Sequence, residues 1–590
     1  MPLLDRNRQR CYDTHRGTQY LTDGRKSRMG KYSIGIDFGT LSGRAVLADV
    51  ATGDEVACAT YAYPHGVMDK TLPDGTPLGR DWALQDPADY LEVLRQTVPE
   101  LLRKARVSPE EIVGIGTDFT ASTTIPALAD GTPLSFLPQY RSQPHAWCML
   151  WKHHAAQEQA DKISRLAKER GEKWFLRYGE RISSEWEFPK LLQILEEAPH
   201  IYEATEVLVE ASDWIVWQLT GVNSRNRCAA GFKGLWSKED GYPSREFFAA
   251  LDPRMERVVE EKFSGISLNP GERAGFLSER GAELTGLPAG IPVSAGVMDA
   301  HACAPACGLD GPGKMLNIIG TSSVHLVLRE EERCFPGICG VADGVTIPDY
   351  FCYEAGLCCV GDFFAWFVDH CLPAEYAAEA ERSGMSKHQL LTEKAKKLTP
   401  GESGLLALNW WNGNRSVLMD SDLTGMILGL DLQTRPEEIY RALIESTAFN
   451  TRMILDAFRE NGIEIHRFLA SGGIPGKNPM AMQIYADVLR IPVQLAGTTQ
   501  GAAMGAAIYG AAAAGTERGG YGSVHEAAKK MGKVQDMIYQ PDPEAAGVYD
   551  LLYEEYRRLY DLFGRGENDV MKRLKGLKGT ILQQKNNPKK

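Results

Sequence analysis

Twice in this chain a short apolar run empties into a turn of small, hydroxylated residues. Residues 33–36 lead into Asp37-Phe38-Gly39-Thr40, and in the other half residues 315–319 lead into Gly320-Thr321-Ser322-Ser323. Each such turn sits within strand–turn–helix alternation, which predicts layered α/β domains. At 590 residues the chain is also too long for one hydrophobic core, so the repeated grammar predicts at least two domains.

In the first half, residues 44–50 and 56–63 read as strands joined by a hairpin at Ala51-Thr52-Gly53. A helix follows, with Asp86 as its N-cap, Pro87 in its first turn and apolar residues at Tyr90, Leu91, Leu94, Val98 and Leu101. The next strand, 112–116, ends at Thr117-Asp118. In the second half, 292–295 and 315–319 read as strands, and Thr434 with Glu437 reads as a capping box opening a long helix that stops at Gly462. A strand at 468–470 runs into Gly472-Gly473, with a helix starting near Asn478. The expected organisation is a disordered extension over 1–30, a first domain over 31–290 with a Trp-rich helical insertion, a second domain over 291–565 and a basic tail over 566–590.

The net charge of −12 conceals basic ends: residues 1–31 carry +5 and residues 570–590 carry +7, leaving the body at −24. An acidic body excludes a broad nucleic-acid surface, which needs clustered Lys and Arg. The longest apolar stretch, 502–514, is too short to span a membrane and reads as a buried helix. The N-terminus lacks the apolar core of a secretory signal, and Met29 offers an alternative start. A cytoplasmic protein is expected. Eight of the twelve cysteines fall between Cys303 and Cys371, but no C-x2-C pair is present, so His301, Cys303 and Cys307 read as buried side chains rather than as zinc ligands.

Four features carry chemistry. In Asp37-Phe38-Gly39-Thr40 the absence of a side chain at Gly39 lets backbone N–H groups and the Thr40 hydroxyl approach phosphate oxygens, with Arg44 close behind. Gly320-Thr321 offers a second such turn. Gly472-Gly473 lies between a strand and a helix, where backbone can lie against a planar ligand and a helix N-terminus attracts anions. Asp299, just after a strand and among small residues, has room to face a substrate hydroxyl, although Asp is also a good helix N-cap. Neither the dinucleotide fingerprint nor the Walker A spacing occurs, which lowers a dehydrogenase reading.

These features in this order resemble the FGGY family of carbohydrate kinases, over residues 31 to about 577. The resemblance sharpens towards the family's ribulokinase branch. The stretches Trp151-Lys152-His153-His154, Ile182-Ser183-Ser184-Glu185-Trp186, Trp410-Trp411-Asn412-Gly413-Asn414-Arg415 and residues 563–571 look like that branch. Where glycerol and xylulose kinases carry W-x-D-x-R, this chain has Trp151-Lys152-His153-His154, which counts against those substrates.

The resemblance implies two ribonuclease-H-like domains of the actin/Hsp70/hexokinase-like class, with ATP and a ketopentose in the cleft between them. Asp299 matches the general base, and Ala121, Lys233, Glu354 and Asp299 match sugar contacts. Asp37, Gly39, Thr40, Arg44, Gly320, Thr321, Gly472, Gly473 and Asn478 would serve MgATP, with Asp37 and Asp299 holding Mg2+ through water. L-Ribulose, and with it D-ribulose, is the implied substrate. Another ketose or polyol remains open, as does a non-catalytic nucleotide-driven protein of the Hsp70 or actin kind. No membrane or nucleic-acid partner is expected, and a homodimer is one option for the assembly.

Overall fold

The computed structural model describes residues 30–566 and 568–586. The expected N-terminal extension, Gly30 apart, lies outside the described residues, as does Met29.

Two seven-stranded sheets carry the molecule. In the first, Glu55–Ala62 pairs antiparallel with Ser42–Asp49, which pairs antiparallel with Tyr32–Phe38. Tyr32–Phe38 then runs parallel to Ile112–Phe119, that strand parallel to Pro292–Ser294, and Arg273–Phe276 closes the edge antiparallel. The second sheet repeats this succession. Phe351–Leu357, Ser323–Arg329 and Lys314–Ile319 are antiparallel neighbours, Arg467–Ser471 and Val493–Ala496 continue parallel, and Val534–Tyr539 is antiparallel. One additional strand, Gly340–Asp343, borders Phe351–Leu357.

Ile112–Phe119 is buried at every residue. That is the pattern of a parallel strand covered on both faces. Helix Pro87–Ala105 covers one face, with its N-terminus set as expected: the Asp86 side chain accepts from the Ala88 N–H and Pro87 occupies the first turn. On the other face lies helix Gly501–Ala514, the apolar stretch expected to be buried. A Cβ added at Gly35 would strike the Ala503 carbonyl, and one at Gly116 the Ala506 carbonyl, so backbone meets backbone here. Small side chains fill the rest of this contact, among them Ala302, Cys303, Cys307 and Ala507.

The structure corrects several boundaries. Strands Pro292–Ser294 and Val297–Met298 hydrogen-bond to Ile112–Phe119, so the first sheet extends past residue 290. The long helix Pro436–Glu460 has Arg435 rather than Thr434 as its N-cap, with the Glu438 carboxylate accepting from the Arg435 N–H at 2.6 Å, because Pro436 takes the first helical position and shifts the cap by one. Thr434 instead hydrogen-bonds to Asp431. The basic tail includes a helix, Val570–Asn586, tied down where Lys572 pairs with Asp420 at 2.7 Å and Lys575 with Asp422 at 3.2 Å. A local pair of acids thus gives those lysines a partner that composition alone did not reveal.

The Trp-rich insertion between residues 147 and 254 is mainly helical, with its own core. Among the described residues no helix is long and apolar enough to cross a membrane.

Candidate active site

The residues expected to serve the nucleotide are found mainly where strands end. Asp37 lies within Tyr32–Phe38, one step before the turn, and its parallel neighbour in register is Asp118. The Arg44 guanidinium stands 3.1 Å from the Asp37 carboxylate and donates to Gln500 Oε1 at 2.8 Å, reaching the start of the Gly501–Ala514 helix. Gly39 closes the turn through its N–H to the Ser42 carbonyl at 3.0 Å. Thr40 is held twice: Gln85 Nε2 donates to its carbonyl at 2.7 Å and Trp151 Nε1 to its hydroxyl at 3.0 Å.

In the other half, Gly320-Thr321 is fixed through its carbonyls by the N–H groups of Val360 and Gly361, at 2.9 and 3.0 Å, and Thr321 is exposed. Gly472 has φ of 103°, and a Cβ there would collide with the Ile319 carbonyl, so this position requires glycine for conformation and space. A Cβ at Gly473 would meet nothing. Asn478 caps the Pro479–Leu489 helix through Ala481 N at 3.0 Å and is buried, so its side chain serves the helix end.

Asp299 is the first residue of helix Asp299–Ala306; Met298 is the N-cap, and the Asp299 carboxylate accepts from the Ala300 N–H at 2.7 Å. Burial and then the negative charge of Asp37 push its carboxyl up to about 7. Burial raises Asp37 as well, against the pull of Arg44. Asp118 is raised furthest, by burial and then by Asp37 and Asp299. Sequence reasoning took Asp118 only for a strand end; an acid closing a fully buried strand was the signal available.

Lys233 ends helix Arg227–Lys233, and Glu354 lies in the second sheet. Their charges meet at 3.0 and 3.1 Å, both side chains buried. Burial works to raise the Glu354 carboxyl, but Lys233, then His301 and Arg415, outweigh it and hold the group below its usual range. His301 Nε2 is 3.6 Å from Glu354, and burial lowers this imidazole to about 4, so it is neutral at pH 7. Ala121 follows the Ile112–Phe119 strand and is half-buried. Among the tryptophans of the helical insertion, Trp147 and Trp214 are buried and donate to backbone carbonyls. Trp186 places its ring 5.7 Å from the Lys233 ammonium, and Trp151 contacts Thr40.

Residues 32–305 match the N-terminal domain model of the FGGY family of carbohydrate kinases, and residues 315–514 match its C-terminal domain model. The chain belongs to the FGGY carbohydrate kinases. Within that family it is 52% identical to a protein named ribulokinase from Bacillus licheniformis, over 91% of this chain and 98% of the relative. It is 48% identical to one from Mycolicibacterium smegmatis, over 92% and 96%. Solved FGGY-like structures share the two-domain fold at lower identity. A xylulose kinase from Lactobacillus acidophilus superposes with a TM-score of 0.74 at 18% identity, covering 91% of this chain and 99% of the other. The chain is therefore a carbohydrate kinase, an enzyme that transfers a phosphoryl group.

Proposed function

We propose that this kinase transfers the γ-phosphoryl group of ATP to the C5 hydroxyl of L-ribulose, and also of D-ribulose. The observation that carries the reading is the buried Lys233–Glu354 pair next to Asp299, since Lys233 and Glu354 both act on the Asp299 carboxyl electrostatically. A ketopentose presents several hydroxyls and a ketone, which need donors and acceptors together. Lys233 offers three donors and Glu354 accepts. High identity to proteins named ribulokinase over nearly the whole chain supports the same substrate.

In this reading Asp299 accepts the proton of the sugar hydroxyl while that oxygen bonds to the γ-phosphorus and the bond to the bridging oxygen of ADP breaks. A carboxyl near 7 is suited to such a base at neutral pH. Thr40 and Thr321 would hold phosphate oxygens from the two halves, and Gly472-Gly473 would lie along adenosine. Phosphoryl transfer depends on positioning and charge neutralisation.

The site also fits a hydrated magnesium ion. Asp37, Asp118 and Asp299 are three carboxyls that act on one another electrostatically, and the Arg44 guanidinium stands 3.1 Å from Asp37. Among the described residues no group of three His, Cys, Asp or Glu side chains is placed to hold a metal directly. Bound there, Mg2+ would neutralise phosphate charge. Dependence on ATP fits a cytoplasmic protein.

A coupled ADP-release assay over ketopentoses, ketohexoses and polyols tests the substrate. L-Ribulose should give the highest kcat/KM, with D-ribulose also turned over. Glycerol should be roughly 30- to 10⁴-fold poorer if two buried groups go unpaired at about 1–3 kcal/mol each. Glycerol or xylulose outperforming both ribuloses would overturn the assignment.

A further inference from the structure

Trp151 reaches the Thr40 turn from 111 residues away in the chain. Its indole nitrogen lies 3.0 Å from Thr40 Oγ1. An indole N–H only donates, so the Thr40 hydroxyl must be the acceptor, and its single proton must point elsewhere. The Thr40 backbone is restrained at the same time. Gln85 Nε2 donates to the Thr40 carbonyl at 2.7 Å, and Tyr90 OH donates to Gln85 Oε1 at 2.7 Å, which fixes the orientation of that amide.

Both clamps come from one small piece of sheet. Leu84–Gln85 pairs antiparallel with Cys148–Met149, Gln85 opposite Cys148, and the Leu150 N–H donates to the Ala83 carbonyl at 2.9 Å. The buried Lys190 ammonium donates to the Met149 and Leu150 carbonyls at 3.1 and 3.0 Å, immediately before Trp151. Trp151 is thus held from behind, and the Thr40 proton points away from the indole.

We infer that Trp151 is a positioning residue for phosphoryl transfer: its N–H sets the Thr40 side chain so that the hydroxyl proton is donated to an ATP phosphate. This rests on the proposed role of Thr40 as a phosphate grip. The arrangement makes the phosphate turn depend on the Trp151-Lys152-His153-His154 segment.

Trp151→Phe removes the N–H while keeping an aromatic ring. Steady-state kinetics of the full-length enzyme with ATP and L-ribulose should show kcat down by about tenfold, the scale of one hydrogen bond. KM for ATP should rise, and KM for L-ribulose should stay within about twofold. In a Thr40→Val background, Trp151→Phe should cost nothing further, whereas in a Thr40→Ser background it should cost the full amount. Losses that multiply in the Thr40→Val background, or an unimpaired Trp151→Phe beside an impaired Thr40→Val, would overturn this inference alone. An unimpaired Thr40→Val would remove the phosphate grip itself and overturn both readings.

Discussion

Asp118 and Asp37 occupy matched positions on neighbouring parallel strands, so two buried carboxyls stand side by side beneath the Gly39-Thr40 turn. Both are raised above the ordinary carboxylate range, Asp118 the more strongly. A carboxyl raised in the folded state binds its proton more tightly there than in the unfolded chain. Its stabilising contribution is present below about pH 4 and is lost as pH rises through the folded value. Asp118→Asn removes that loss. In magnesium- and nucleotide-free buffer the variant should melt above the parent at pH 8, with the gap narrowing at pH 5. Calorimetric melting at both pH values checks this, and a pH-independent gap would refute it.

Asp299→Ala should fold and bind ATP but lose turnover. Removing a general base costs 10²–10⁴ in rate, roughly 3–5.5 kcal/mol of barrier. In the parent, kcat/KM should fall on the acid side of an inflection near pH 7, because a protonated Asp299 cannot accept the hydroxyl proton. Near-parental kcat in a folded Asp299→Ala protein would disprove the role.

Lys233 and Glu354 should be more sensitive singly than together. Removing one partner of a buried pair leaves an uncompensated charge and costs about 3–5 kcal/mol, while replacing both with apolar residues costs less. Lys233→Ala and Glu354→Ala should each erode ketopentose preference with the ATP KM nearly unchanged. Melting temperatures of the singles and of Lys233→Met/Glu354→Leu, together with the two Michaelis constants, separate stability from recognition.

The adjacent glycines should respond differently. Gly473→Val enters open space in the free protein and should raise the ATP KM with little effect on melting. Gly472→Ala meets the Ile319 carbonyl at a left-handed φ and should destabilise the fold itself. Equal melting temperatures for the two variants would contradict this.

Elements with strong local signals were legible in the sequence. The Pro87–Ala105 and Pro479–Leu489 helices announce themselves through Asp86-Pro87 and Asn478-Pro479, and the turns at Gly39 and Gly320 through their small residues. Features set by distant partners were not. Asp118 stands out only once its strand lies against Asp37, and the burial of Lys233 depends on Glu354, 121 residues later in the chain. The importance of Trp151 depends on a hydroxyl 111 residues away. The strands past residue 290 join the first sheet through long-range pairing that no local pattern encodes.

Where helix Gly501–Ala514 crosses the first sheet, Gly35, Gly114 and Gly116 bring strand backbone against helix backbone, and Met504, Ile508 and Tyr509 of the same helix are buried in the core around that contact. The Ser33 hydroxyl adds a hydrogen bond to the Ala507 carbonyl at 2.7 Å. A side chain at any of those three glycines would push the helix off the sheet, and with it Gln500, which accepts from Arg44 beside Asp37.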